Sequence, residues 1–288
     1  MLEEPISSGT LYLVATPIGN LEDISLRALN ILKRADLIAC EDTRRTARLL
    51  EHYGIATPRE SHHEHNEARH TARLLALLRE GKSIALVADA GTPLLSDPGC
   101  ILVDACRDAG IMVTPIPGPS AAIAALIASG LPPDTFLFVG FLPPRKGARR
   151  KRLHEIASIP ATLIFYEAPH RLVPSLEDMV EILGARQACL AREMTKIHEE
   201  WLRGTLVDIV GAMRARPQIR GEITLVVARG TSALAQGRPA CPASIEQHLE
   251  EELLRTGASP KDALKAIARQ RGLSRREAYR QLHIKKES

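Results

Sequence analysis

The stretch SIALVADAGTPLLSDPG, residues 83–99, decides the fold. Ser83 to Ala88 reads as a short buried strand. Gly91, Pro93, Pro98 and Gly99 then break the chain, and helical spacing begins at Pro98. A buried strand that ends in a rigid turn and leads into a helix marks the carboxyl edge of an α/β sheet, and ligands bind in the crevice beyond such strand ends. The glycines and prolines of Asp89 to Gly99 fix the backbone and let a ligand approach its peptide groups.

The same pattern recurs on both sides of this stretch. Thr10 to Ala15 is a strand broken by Thr16-Pro17-Ile18-Gly19-Asn20. Leu37 to Cys40 ends in Glu41-Asp42-Thr43-Arg44-Arg45, with Thr43 expected to cap a helix through Tyr53. Ile111 to Ile116 ends in Pro117-Gly118-Pro119-Ser120-Ala121, where the Ser120 hydroxyl either caps an Ala-rich helix or faces a ligand. This βαβαβαβ alternation predicts a mainly parallel sheet covered by helices. Ser61 to Glu67 gathers three imidazoles and two carboxylates. Helical zinc sites use histidines four apart and no cysteine is near, so we read a polar substrate-facing loop or a helix start, with no metal.

Leu131-Pro132-Pro133 interrupts the pattern. The expected organisation is an N-terminal α/β domain over 9–130, a second α/β domain over 131–230, and a small all-α domain over 244–286. Strands are expected at Phe136 to Phe141, Ala161 to Tyr166, Gln187 to Ala191 and Gly221 to Ala228, with a helix from Thr205 to Met213. RKGARRKR, residues 145–152, holds six cations and no acid, and reads as a solvated loop or a phosphate-backbone contact. Residues 192–200 pack acid, cation, hydroxyl and imidazole just past a strand; a functional loop and an exposed strand edge both fit. Residues 231–243 read as a linker. The tail has a helix start at Ser259-Pro260 and a break at Gly272-Leu273-Ser274, as in a helix-turn-helix. Residues 261–288 carry nine Lys or Arg against three acids, so the tail is the expected nucleic-acid contact.

Composition narrows the class. Hydrophobic residues at 45% and charged residues at 25% support ordinary globular cores. Aromatics at 3% argue against base-stacking platforms built from Phe and Tyr. The net charge of +4 tilts weakly toward an anionic partner. Five widely spaced cysteines without a C-x-x-C pair read as reduced thiols of a cytoplasmic protein. No secretory leader or membrane-length apolar run is seen. The G-x-G-x-x-G fingerprint, the P-loop, G-x-S-x-G and H-E-x-x-H are all absent, which removes the usual anchors for dinucleotide, triphosphate and hydrolase chemistry.

Eight ordered motifs now fit one family: ATPIGNLEDIS (15–25), ACEDTR (39–44), HEHNE (63–67), DAGTPLLSDPG (89–99), PGPSA (117–121), GFLP (140–143), YEAPHR (166–171) and AREMTKIHEE (191–200). Together they resemble the tetrapyrrole-methylase-like class of S-adenosylmethionine methyltransferases, in its branch of small-subunit ribosomal RNA methyltransferases, over about residues 9–286. The resemblance implies the two-domain class III fold, a homodimer, and S-adenosylmethionine in the cleft between the α/β domains. It also implies methyl transfer to the ribose 2′-hydroxyl of a cytidine in the decoding region. A tetrapyrrole or another small molecule is the alternative substrate, and a non-enzymatic RNA-binding protein of the same fold a further one.

Carried over by motif, the donor site comprises Pro17, Ile18, Asp89, Gly91, Thr92, Leu95, Ser120 and Ala121, with Tyr166, Met194 and Thr224 from the second domain. Asp89 is a pocket or structural carboxylate. A ribose hydroxyl is a poor nucleophile until its proton is partly removed. Lys196 is the first candidate base, on the expectation that desolvation beside a cation leaves it neutral; Glu193, Glu199 and Asp42 are rivals. Arg145, Lys146, Arg149, Arg150, Lys151 and Arg152 are the expected RNA contacts, with Arg44 and His63 shaping the nucleotide pocket. The partner is small-subunit ribosomal RNA or the assembled subunit, with no membrane.

Overall fold

Apolar runs bounded by Gly and Pro turns fold as strands. A computed structural model describing residues 7–63, 67–230, 248–249, 252–253, 257, 259–270 and 277–278 arranges them in two five-stranded sheets. The first holds β1 (Thr10–Val14), β2 (Leu37–Cys40), β3 (Arg59–Ser61), β4 (Ile84–Val87) and β5 (Met112–Ile116) in the order β3-β2-β4-β1-β5, with every pair parallel. Side chains alternate along each strand. Tyr12 and Val14 join one core with Ala28, Ile31 and Leu32 of α1 (Leu26–Arg34) and Leu49 and Leu50 of α2 (Thr43–His52). Leu11 joins the opposite core with Leu74 and Leu78 of α3 (Glu67–Arg79) and Leu102 and Cys106 of α4 (Cys100–Asp108). The chain therefore leaves β1 toward one face and its neighbour β4 toward the other. That divergence opens a crevice at the β1 and β4 carboxyl ends, the topological switch point.

The second sheet holds β6 (Phe136–Phe141), β7 (Thr162–Glu167), β8 (Gln187–Arg192), β9 (Glu200–Thr205) and β10 (Ile223–Val227) in the order β6-β7-β10-β8-β9. Only β6 and β7 pair in parallel. α6 (Lys146–Ile156), α7 (Leu172–Leu183) and α8 (Leu206–Arg214) pack one face around Phe165 and Leu190. α5 (Ala121–Ser129) follows the first sheet in sequence but lies on the other face of the second. There Ala122, Ala125 and Leu126 meet Ile164, Cys189 and Val226. Its small side chains let the helix approach the strands closely, and the same cluster takes in Ile18 and Met194 from the turns of both sheets.

Several local expectations change. The basic stretch 145–152 is helical through most of its length, because Arg149, Leu153 and Ile156 form a buried stripe at helical spacing. Arg149 is 5% exposed, and its guanidinium pairs with the equally buried Asp178, Nε to Oδ2 2.7 Å. Arg150 reaches Asp178 at 3.2 Å and also pairs with Glu181. Arg149 is thus a strut between α6 and α7, corrected from an RNA contact by its burial, and Arg150 is largely committed to the same pair of helices. Arg145, Lys146, Lys151 and Arg152 stay exposed. Asp42, not Thr43, caps α2, accepting from the Arg44 amide. β3, β9 and α7 were not anticipated.

In the tail, α9 (Pro260–Gln270) starts where expected, with Ser259 Oγ accepting from the Asp262 amide at 3.3 Å. Leu264, Ile267 and Ala268 are buried with Ala278. The expected linker at 231–243 and the turn at 272–274 lie outside the described residues. Among the described residues no helix is long and apolar enough to cross a membrane.

Removing one member of a buried ion pair strands the other charge. Arg149→Ala is expected to lower the unfolding free energy by about 3–5 kcal/mol in urea titrations, while an exposed neighbour, Lys151→Ala, changes it by well under about 1 kcal/mol.

Candidate active site

Three turns of the first sheet bond to one another at the switch point. Thr16 and Gly91 exchange backbone hydrogen bonds at 2.9 and 3.0 Å, Thr16 Oγ1 donates to the Ala88 carbonyl, and Thr92 Oγ1 donates to that of Pro119. Asp89 ties the ends of β4 and β2, its Oδ1 accepting from the Asp42 amide at 2.9 Å, with Arg45 3.4 Å from Oδ2. The 89–99 turn is strained: Leu94 and Ser96 hold φ of 72° and 71°, positions that cost a non-glycine residue about 1 kcal/mol or more. Glu67 stabilises its far end, Oε1 accepting from the Gly99 and Ile101 amides at the start of α4.

The second wall comes from the ends of β6, β7 and β10, and the 193–199 turn packs beside it without lining the cleft. Glu193 and Thr195 also have positive φ, 52° and 64°. They are braced by side chains: Glu193 Oε1 accepts from Lys196 Nζ and the Glu222 amide, both at 2.8 Å, and Glu199 Oε2 accepts from the Thr195 amide. Gly19 of the first wall lies against this turn so closely that a Cβ would fall 2.5 Å from Lys196 Cγ and 2.6 Å from Thr195 Oγ1. The Asn20 amide donates to Thr195 Oγ1 at 2.9 Å.

Between the walls is a cleft of about 490 Å³. Of the expected donor residues, Ile18, Asp89, Gly91, Thr92, Leu95, Ala121, Tyr166 and Thr224 line it, while Pro17, Ser120 and Met194 do not. Ser120 precedes α5 without capping it, and its buried hydroxyl has no hydrogen-bond partner among the described residues. None of the four expected catalytic residues lines the cleft, nor does any expected RNA contact. Glu64 to Asn66 lie outside the described residues, and no cluster of metal-binding side chains occurs among the described ones.

The Lys196 expectation is corrected by its partners. Burial pulls its pKa down, but hydrogen bonds to Glu193 and Glu222, at 2.8 and 2.9 Å, outweigh this and leave it raised, so it is an ammonium. Its rivals are committed carboxylates. Burial pushes Glu193 up, yet Lys196 and the Glu222 amide bring it below its ordinary value. Trp201 Nε1 and the Thr195 amide lower Glu199. Arg44 holds Asp42 at about 2.

Asp97, in the SDPG turn, is the exception. It lines the cleft and accepts no hydrogen bond among the described residues. Burial, reinforced by the Glu41 and Asp89 carboxylates, pushes it from 3.8 up to about 7. Sequence offered no signal for this, since a burial penalty depends on which residues surround the group.

The model of the family described as tetrapyrrole (corrin/porphyrin) methylases matches residues 10–210. The chain belongs to that family. Within it, the chain is 50% identical over 277 residues to the ribosomal RNA small subunit methyltransferase I of Halalkalibacterium halodurans, covering 96% of this chain and 95% of that one. It is 50% identical over 236 residues to the protein of the same name from Escherichia coli O157:H7, covering 81% and 82%. The tetrapyrrole methylase fold is also that of the uroporphyrin-III C-methyltransferase from Thermus thermophilus, solved with S-adenosylhomocysteine. That chain superimposes with a TM-score of 0.55 at 20% identity, over 76% of this chain and 97% of its own.

A carboxyl raised by folding contributes stability that is complete below its unfolded pKa and is lost as pH climbs toward the folded value. Asp97→Asn is therefore expected to melt higher than the wild type. The difference should grow from about pH 4 to about pH 7 and then level off in thermal scans across pH.

Proposed function

We propose that this protein transfers the methyl group of S-adenosylmethionine to the ribose 2′-hydroxyl of a cytidine in the decoding region of small-subunit ribosomal RNA. One observation carries the donor half of this reading. The residues lining the cleft include five carboxylates, Glu41, Asp89, Asp97, Glu167 and Glu222, against a single cation, Arg45. Such a lining suits a ligand bearing a sulfonium and an ammonium and opposes one bearing phosphates. The cleft volume fits a molecule of that size. Identity of 50% to relatives named for ribosomal RNA supports the substrate class.

In this reading Ile18, Gly91 to Leu95 and Ala121 hold the donor from the first wall, and Tyr166 and Thr224 from the second, with Pro17, Ser120 and Met194 supporting them. Once bound, S-adenosylmethionine supplies an electrophilic methyl group. The strained, hydrogen-bonded turns fix its position, which is where an in-line displacement gains most. Asp97 takes the role first given to Lys196. With no hydrogen-bond donor on it among the described residues and a pKa raised to about 7, its carboxylate is suited to accept the 2′-hydroxyl proton as the oxygen attacks. Lys196, Glu193 and Glu199 instead brace the turn that closes the cleft, and Asp42 with Arg44 caps α2 at its edge.

The proposed assembly is a cytoplasmic homodimer, with residues 9–130 and 131–230 as the two α/β domains and 244–286 as a helical domain. Arg145, Lys146, Lys151, Arg152 and the basic tail are offered to RNA phosphates, with Arg44 and His63 toward the nucleotide. Small-molecule methylation on a tetrapyrrole is the second reading, favoured by the fold likeness to the uroporphyrin enzyme.

Radiolabelled S-adenosylmethionine incubated with small ribosomal subunits or with a tetrapyrrole precursor separates the two. Label is expected in the RNA alone, and nucleoside digestion should recover it as 2′-O-methylcytidine. Asp97→Asn is expected to slow single-turnover transfer by roughly 10²–10⁴-fold while retaining donor affinity. Normal turnover by that variant would remove Asp97 from the reaction.

A further inference from the structure

We propose that Phe141 is the platform on which a nucleobase of the acceptor RNA stacks at the mouth of the cleft, an inference that rests on the RNA reading above. The path of β6 explains how the ring arrives there. Side chains of a strand alternate between faces, so residues three apart ordinarily point opposite ways. Phe138 and Phe141 are three apart, yet both meet the Tyr166 ring edge-on, with centroids 5.0 and 5.7 Å away. The register of β6 on β7 shifts between Phe138 and Gly140, making Val139 the extra residue of a β-bulge. Bulges beside active sites re-aim side chains in this way. Gly140 adopts φ of 70°, and a Cβ there would fall 2.9 Å from Ser96 Oγ. The bulge is thus seated directly on the 89–99 turn.

The ring is both braced and left open. Tyr166 packs against it in a T-shaped contact, and the Arg171 guanidinium lies over one face of the ring, 5.8 Å from its centroid, held in place by an ion pair from Nε to the buried Glu167 at 2.7 Å, so a base stacks from the side away from Arg171. Even so, Phe141 is 50% exposed among the residues lining the cleft. Of the chain's four phenylalanines, four tyrosines and one tryptophan, three meet at this point. A fixed aromatic ring left half open beside a cleft is the feature on which unpaired bases stack. Charge selects the part of the nucleotide that enters. Glu41, Asp89 and Asp97 repel phosphate, whereas a base is uncharged. A base held on Phe141 keeps its ribose at the cleft mouth, turning binding into alignment of the reacting oxygen.

The donor's own adenine is the other flat ring that Phe141 can serve, so the test measures two affinities on the full chain. Phe141→Leu keeps apolar bulk and removes the π face; Phe141→Trp keeps the face. Binding of small ribosomal subunits and of S-adenosylhomocysteine is titrated for each. Phe141→Leu is expected to weaken subunit binding roughly ten-fold and Phe141→Trp to preserve it. Both should bind S-adenosylhomocysteine as the wild type does, which also shows that they are folded. Unchanged subunit binding by Phe141→Leu would overturn the platform. Loss of S-adenosylhomocysteine affinity with subunit binding intact would overturn it too, assigning the ring to the donor. A wild-type protein that binds S-adenosylhomocysteine but no small subunit would refute the RNA reading itself, and this inference with it.

Discussion

Gly19 lies against Met194, Thr195 and Lys196 with no room for a side chain, and the Asn20 amide donates to Thr195 across 175 residues of sequence. This contact joins the turn that follows β1 to a turn of the second sheet, and so sets the width of the cleft between them. The positive φ at Glu193 and Thr195 is tolerated because Glu193 and Glu199 satisfy the local amides and Lys196 closes the pair. Ile18 and Met194 complete the seal in an apolar cluster with α5. The cluster of acid, cation and hydroxyl at 192–200 therefore acts chiefly through geometry. It places the walls.

The fold was largely legible in the sequence because its signals are local. Apolar runs ending in Gly and Pro turns marked eight of the ten strands, and the parallel character of the first sheet followed from alternation alone. β3, three residues with one exposed, has no apolar run to announce it. β9, EWLRGT, has no fully buried residue and exposes Arg203, and so shows no hydrophobic pattern.

The site was legible to the extent that backbone turns define it, and illegible where long-range packing changes what a side chain can do. Arg149 looked like part of a basic surface until Asp178, 29 residues on, drew it inside. Lys196 looked like a base until Glu222, 26 residues on, fixed its charge. Asp97 looked unremarkable, because its pKa depends on burial and on Glu41, which comes from the end of β2, as well as on Asp89 of its own turn. Phe141 escaped notice because aromatic scarcity is an average over the chain, and a β-bulge gathers three aromatic rings at one point.

The proposed chemistry requires the two walls to grip one donor. Amide hydrogen exchange with and without S-adenosylhomocysteine tests this directly. Added ligand should slow exchange in two separated segments together, 89–99 on the first wall and 221–224 on the second, with little change in α6. Protection confined to one wall, or appearing only outside the cleft, would contradict the account.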